Sequence, residues 1–193
     1  MVKSNRSRLA ILISGRGSNM EAILNACRQN DFPAEVSLVV SDQNDAKGLE
    51  TALDAGVPAF AFERKDYDSK PAHEAEIRKC IVANDIDLVC LAGFMRILSA
   101  EFVKTLEGRI INIHPSLLPR HKGLDTHARA IAAGDAEHGC TVHYVNAEMD
   151  GGEIIAQARI PINPDDTPES LARRVLIEEH KLYPAVVKQL CSS

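Results

Sequence analysis

No stretch of this 193-residue chain approaches the roughly 18 unbroken apolar residues of a membrane-spanning helix. The apolar run at residues 9–14, LAILIS, follows a basic lead, MVKSNRSR, but it is too short for the core of a secretory signal and passes straight into SGRGSN. Positive charge is scarce: 22 Lys and Arg against 27 Asp and Glu leave a formal net charge of -5, which gives no footprint for nucleic acid or an anionic membrane. A tRNA-binding role is therefore disfavoured. Paired cysteines are missing as well. Cys27, Cys80, Cys90, Cys140 and Cys191 are odd in number and far apart, so they read as reduced, packed thiols of a cytoplasmic protein. No repeat, linker or low-complexity segment divides the chain. With 45% hydrophobic and 25% charged residues, residues 1–193 are expected to form one soluble globular domain.

What is present is an alternation of strands and helices. Residues 9–13 form a continuous apolar run suited to a buried strand, and SGRGSN ends it. Gly15 and Gly17 let the backbone turn, Ser18 is expected to cap the next helix, and Glu21 completes a capping-box pattern. Strand, glycine loop and helix start together aim free N–H groups and a positive helix end at one point, a phosphate cradle, with a plain tight turn as the alternative. A dinucleotide fingerprint is excluded by the missing third glycine, and a P-loop by the missing Lys-Ser/Thr.

A second strand at 35–40 leads through SDQNDA into a helix at 46–55 stopped by Gly56, and a short third strand follows at 57–62. After a charged loop at 65–70, Pro71 opens a helix to Asn84 that packs Ile77, Cys80 and Ile81 and leaves His73 on its surface. The fourth strand, 86–92, exits at Gly93 into the apolar segment FMRIL, which is either core or the wall of a pocket for a flat hydrophobic ligand. Ser99 caps a short helix ending near Gly108.

Arg109 to Pro119, RIINIHPSLLP, is the segment around which the rest is organised. Ile110, Ile111 and Ile113 suit a buried strand that Pro115 terminates. Alternation puts Asn112 and His114 on one face and Ile111 and Ile113 on the other, at the carboxyl end of a central strand, where open α/β sheets bind ligands. A helix at 126–133 follows. Strands at 138–145 and 153–160, joined by NAEMDGG, are expected to add an antiparallel hairpin. From Thr167 and Pro168 a helix runs to about Leu182, and Pro184 is expected to break or kink it, leaving a short final helix. The sum is a doubly wound, mostly parallel α/β sheet with an antiparallel C-terminal hairpin.

Asp150 lies in the turn of that hairpin. Brought within about 4 to 6 Å of His114 it would favour the imidazolium and raise the histidine above its usual value of about 6.5. Asn112 would supply an amide donor to an oxygen that becomes negative as a carbonyl carbon turns tetrahedral. With no serine or cysteine nucleophile beside them, these groups fit direct acyl transfer between two bound substrates. Ser116 follows Pro115 and lacks the GxSxG elbow, so a loop role is favoured. His114, His121, His127, His138, His143 and His180 show neither HExxH nor paired i, i+4 spacing, and no metal is expected. His138 and His143 read as strand residues with satisfied ring nitrogens.

SGRGSN after the first strand, AGFMRIL after the fourth, INIHPSLLP, GDAEHGCTVHYV, MDGGEIIAQ and the late EEHKLYP together resemble the phosphoribosylglycinamide formyltransferases over nearly the whole chain. The resemblance implies a Rossmann-like formyltransferase fold and formyl transfer from 10-formyltetrahydrofolate, as co-substrate and without a metal, to glycinamide ribonucleotide. It assigns catalysis to Asn112, His114 as proton donor and Asp150 as the group that raises its pKa. It places the substrate phosphate on Gly17, Ser18 and Asn19, and the ribonucleotide also on Glu179. The folate is assigned to Lys70, to Met95, Arg96, Ile97 and Leu98, to Asn112, and to Asn146, Ala147, Glu148, Met149 and Asp150. The N-terminal half thus holds the ribonucleotide phosphate and the C-terminal half the folate and catalytic groups, in a monomer or homodimer. Leu176 stands where the family usually has a polar side chain. Formyltetrahydrofolate hydrolysis is the nearest rival; that family carries a further N-terminal domain and a second histidine where this chain has Pro115. A non-catalytic nucleotide-binding module would use the glycine cradle alone.

Overall fold

Leu9 to Ile13 have no exposed surface, and the reason is the position of their strand. In the computed structural model, which describes residues 6–192, β1 (Ser7–Ile13) lies between β2 (Ala34–Ser41) and β4 (Leu88–Leu91) in a sheet with both faces covered. Leu9, Ile11 and Ile13 pack in one cluster with Met20, Ile23, Tyr183 and Val187, while Ala10 and Leu12 pack in a second with Ile77, Ile81, Phe102 and Val103. Burial on both faces is why the run is continuous rather than alternating. Residues 1–5 of the basic lead fall outside the described part.

Among the described residues the sheet has seven strands in the order β3-β2-β1-β4-β5-β6-β7, completed by β3 (Ala59–Ala61), β5 (Ile110–His114), β6 (Glu137–Tyr144) and β7 (Ile154–Pro161). Pairing is parallel from β3 through β5 and antiparallel from β5 to β7, the doubly wound arrangement with a C-terminal hairpin. Among the described residues six helices cover it: α1 (Ser18–Cys27), α2 (Lys47–Asp54), α3 (Lys70–Ala83), α4 (Ala100–Thr105), α5 (Thr126–Ala132) and α6 (Pro168–Cys191), with a 3-10 turn at Arg64–Asp66.

Several sequence expectations are corrected. Ser18 is the first residue of α1 rather than its cap. Gly17, at φ 73, takes the N-cap position, with no side-chain cap bond and hence no capping box. The turn is tight because a Cβ on Gly17 would lie 3.2 Å from the Gly48 Cα of α2. His73 is buried rather than on the helix surface, its Nε2 2.7 Å from the Phe62 carbonyl oxygen. The proline at 184 does not end α6, which is one helix to Cys191. Only the bond to the residue 180 carbonyl is lost there, and buried Tyr183, Val186 and Val187 clamp the helix on both sides of the gap.

Tyr183 has no exposed surface and brings its hydroxyl 3.0 Å from the Leu91 carbonyl of β4 and 3.1 Å from the Ile111 carbonyl of β5. Replacing it by Phe leaves those buried acceptors without this donor. Tyr183→Phe is expected to lower unfolding free energy by about 1–3 kcal/mol, read from urea denaturation; an unchanged midpoint and slope would show that the hydroxyl contributes nothing.

Candidate active site

The register of β5 against β6 sets the site. Asn112 faces His143 and His114 faces Thr141 across the antiparallel pair, so the polar residues of both strands share one face. His114, 6% exposed, is fixed by its loop: the Thr141 hydroxyl donates to the Ser116 carbonyl at 2.7 Å and accepts from Leu118 N at 3.1 Å, and Gln157 adds an amide bond to the Leu118 carbonyl at 2.9 Å. Ser116 is fully buried and donates to the Arg120 carbonyl at 2.7 Å, in keeping with a loop role.

Asp150 does reach His114. Its Oδ2 lies 3.4 Å from Nδ1 of the ring and accepts from Gly123 N at 2.9 Å. The other ring nitrogen, Nε2, is 3.0 Å from the His121 carbonyl oxygen. Asp150 adopts φ 50, and the turn passes so close to β6 that a Cβ on Gly152 would fall 1.7 Å from the Tyr144 carbonyl oxygen. Glycine at 152 is thus a steric condition for bringing the carboxylate home.

His143 completes the constellation and was missed as a site residue. It is 2% exposed, with Nε2 3.2 Å from Asn112 Nδ2 and 3.8 Å from Asp150 Oδ1, and Nδ1 2.9 Å from the Tyr144 carbonyl oxygen. Burial holds it below the usual histidine value. Its signal lay in strand alternation, since His143 shares a face with Thr141, but which residue it opposes depends on a hairpin register that the turn residues did not fix.

On the same carboxyl edge of the sheet, past β1, the first-turn amides of α1 have no intrahelical acceptor and no side-chain cap. Asn19, 8% exposed, donates through Nδ2 to Glu179 Oε2 at 2.5 Å, joining the glycine loop to the late helix. Its Oδ1 is buried without a partner among the described residues. Burial raises the Glu179 carboxyl above its usual range.

The residues assigned to folate fall in two groups. Lys70, Met95, Arg96, Ile97 and Leu98 line one cavity of about 330 Å³ together with Arg64, His73, Glu74, Ile77 and Phe94. Lys70 also lies 3.8 Å from Glu74, and Arg96 Nε bonds Asp42 Oδ2 at 2.7 Å. Burial opposes the charge on Asp42, but hydrogen bonds from Ser14, Arg96 and Gln43 outweigh it and hold its carboxyl below the usual range. The sequence reading treated the Asp42 segment as a plain loop. The second group, 146–150, packs on the loop after His114: Glu148 Oε1 meets Lys122 Nζ at 2.7 Å, and Asn146 Oδ1 accepts from Glu148 N at 2.9 Å. Ala147 and Met149 in the same turn are exposed. Leu176 is half-buried on α6, three residues before Glu179.

Elsewhere around β6, His138 Nε2 lies 3.1 Å from His127 Nδ1, and His121 Nε2 lies 2.7 Å from Asp135. Burial, then the charges of His127 and His121, push His138 down to about 4. Among the described residues, no group of three or more His, Cys, Asp or Glu is placed to hold a metal ion, and no helix is long and apolar enough to cross a membrane.

Asn112, His114 and Asp150 thus meet on a doubly wound sheet whose first strand ends in a glycine loop. The formyl transferase family matches residues 7–187. The phosphoribosylglycinamide formyltransferase of Haemophilus influenzae is 44% identical over 181 residues, 94% of this chain and 85% of that protein. The crystal structure of phosphoribosylglycinamide formyltransferase from Brucella melitensis is 49% identical and superposes with a TM-score of 0.94 over 97% of each chain. The trifunctional purine biosynthetic protein adenosine-3 of Drosophila melanogaster is 44% identical over 98% of this chain, which spans 14% of that protein's length. The chain belongs to the formyl transferase family, and within it to the phosphoribosylglycinamide formyltransferases.

His127, His138 and His143 are all held below the usual histidine value, chiefly by burial. A histidine kept neutral by the fold binds its proton more readily when unfolded, so stability rises with pH between the folded value and about 6.5. The urea midpoint is expected to fall as pH drops through that window toward about 4, with a shallower slope in His138→Gln. Equal slopes in both proteins would remove His138 from the account.

Proposed function

We propose that the chain transfers the formyl group of 10-formyltetrahydrofolate to the amine of glycinamide ribonucleotide, within purine biosynthesis. The observation that carries this reading is the 3.4 Å contact between His114 and Asp150, with Asn112 on the same strand face. The amine attacks the formyl carbon, the carbonyl oxygen becomes an oxyanion, and the tetrahedral carbon collapses by releasing the folate nitrogen. Asn112 donates an amide N–H to the oxyanion. His114 in its imidazolium form gives the leaving nitrogen a proton from Nε2, the substrate taking the place of the His121 carbonyl there, and the proton that the attacking amine loses restores the charged ring. Asp150 stabilises the positive ring and fixes its orientation. No enzyme-bound covalent intermediate is needed.

The ribonucleotide phosphate is assigned to the backbone amides of Gly17, Ser18 and Asn19, supported by the uncapped start of α1, and the rest of that substrate to Glu179. Binding there would also give the buried Asn19 Oδ1 a donor. The folate is assigned to the cavity walled by Met95, Arg96, Ile97 and Leu98, with Lys70 facing its anionic tail, and to Asn112 and the turn of Asn146, Ala147, Glu148, Met149 and Asp150. The exposed apolar side chains of Met95 and Ile97, 67% and 66% accessible, suit a flat heterocycle.

His114→Ala is expected to abolish most turnover while leaving the thermal transition unchanged, and Asn112→Ala to cost on the order of a hundredfold or more. Absorbance of the deformylated folate, followed with and without glycinamide ribonucleotide, checks both; an active His114→Ala protein would defeat the assignment, and product formed equally well without ribonucleotide would indicate hydrolysis instead. Separately, a crystal soaked in inorganic phosphate is expected to show the anion at residues 17–19, and an empty loop at saturating phosphate would remove the cradle from the reading.

A further inference from the structure

We infer that His143 is a positioning residue for formyl transfer, an acceptor that locks the Asn112 amide with its N–H edge turned the right way. The inference rests on the reading of Asn112 as the oxyanion donor. It begins with a carbonyl. The Tyr144 oxygen lies 2.9 Å from His143 Nδ1, and since a carbonyl only accepts, Nδ1 must carry the hydrogen. In the neutral ring that leaves a lone pair on Nε2.

Asn112 Nδ2 sits 3.2 Å from that lone pair. An amide can face it only with an N–H; turned over, it would set Oδ1 against the lone pair and repel it. One amide hydrogen is thereby engaged, and the second remains free on the same nitrogen, aimed where an oxyanion can receive it. A free asparagine could turn its oxygen toward the developing negative charge; this one is held from doing so.

Three features make the lock rigid. Asn112 and His143 are directly opposed in the β5–β6 ladder, so both side chains rise from fixed backbone. His143 is 2% exposed, and water does not compete for its nitrogens. The Tyr144 carbonyl lies on β6 against the close pass of Gly152, which limits its freedom to turn away from Nδ1. The charged groups around the ring are Asp150, 3.8 Å from Nε2, with His114 and Lys122 beyond it. At 3.8 Å with a lone pair between, Asp150 makes no hydrogen bond to neutral His143, so the lone pair is left to Asn112.

Two variants of the full chain separate this role from packing. His143→Phe keeps the ring and loses the acceptor; His143→Gln keeps an acceptor oxygen within reach of Nε2's place. The expected result is a kcat lowered by about ten- to hundredfold in His143→Phe, KM for glycinamide ribonucleotide within about twofold of the parent, and recovery of most of kcat in His143→Gln. Independently of activity, 15N chemical shifts of the parent at neutral pH are expected to show His143 as the Nδ1–H tautomer. A His143→Phe protein with parental kcat, equal losses in the two variants at equal melting temperature, or an Nε2–H tautomer would each overturn the inference. A parent protein without formyl transfer would count against the reaction instead, and the tautomer measurement would still decide the geometry.

Discussion

A carboxylate carried by a hairpin turn comes to rest beside an imidazole at the end of a parallel strand, and most of the C-terminal half is arranged to make that meeting possible. Asp150 would not reach His114 from a parallel crossover. It reaches because β6 runs antiparallel to β5 and leaves its turn beside Ile110, and that turn then lies over the sheet face that carries His114 and His143. The turn closes because residue 152 has no side chain to strike β6. The loop after β5 then contributes a backbone N–H to the same carboxylate, so the acid is satisfied on two sides and held in one orientation.

Two kinds of electrostatics coexist in this arrangement. Near the cradle the groups are backbone dipoles and one buried carboxyl, Glu179, raised by burial and tied to Asn19. Around β5, His127, His138 and His143 are held below the usual histidine value, which favours the neutral ring and makes these three directional hydrogen-bonding groups. Positive charge is left to surface-reaching Lys70, Arg96 and Lys122, each beside a carboxylate.

Much of this was legible in the sequence because it rests on local signals. The two-faced burial of LAILI, the stop at Pro115, the shared face of Asn112 and His114 and the turn at Asp150 all follow from short-range pattern. What was not legible depends on tertiary contact. Whether His73 faces solvent depends on the 3-10 turn and strand end that meet it, not on its own helix. Ser18 and Glu21 match a capping box in type and spacing, yet α1 begins one residue earlier, from a glycine packed on Gly48. Pro184 has the local mark of a break, overridden by core side chains on either side of it. His143 joins the site through cross-strand register, and Asp42 through an arginine 54 residues away.

Tyr183 and Glu179 are four residues apart on α6, on one side of the helix. The hydroxyl of the first bridges Leu91 of β4 and Ile111 of β5 and works as a dowel through the helix into the sheet. A slip of one helical turn, about 5.4 Å, would break both contacts. The reach of Glu179 toward Asn19 at the start of α1 is therefore gauged by a phenol it never touches.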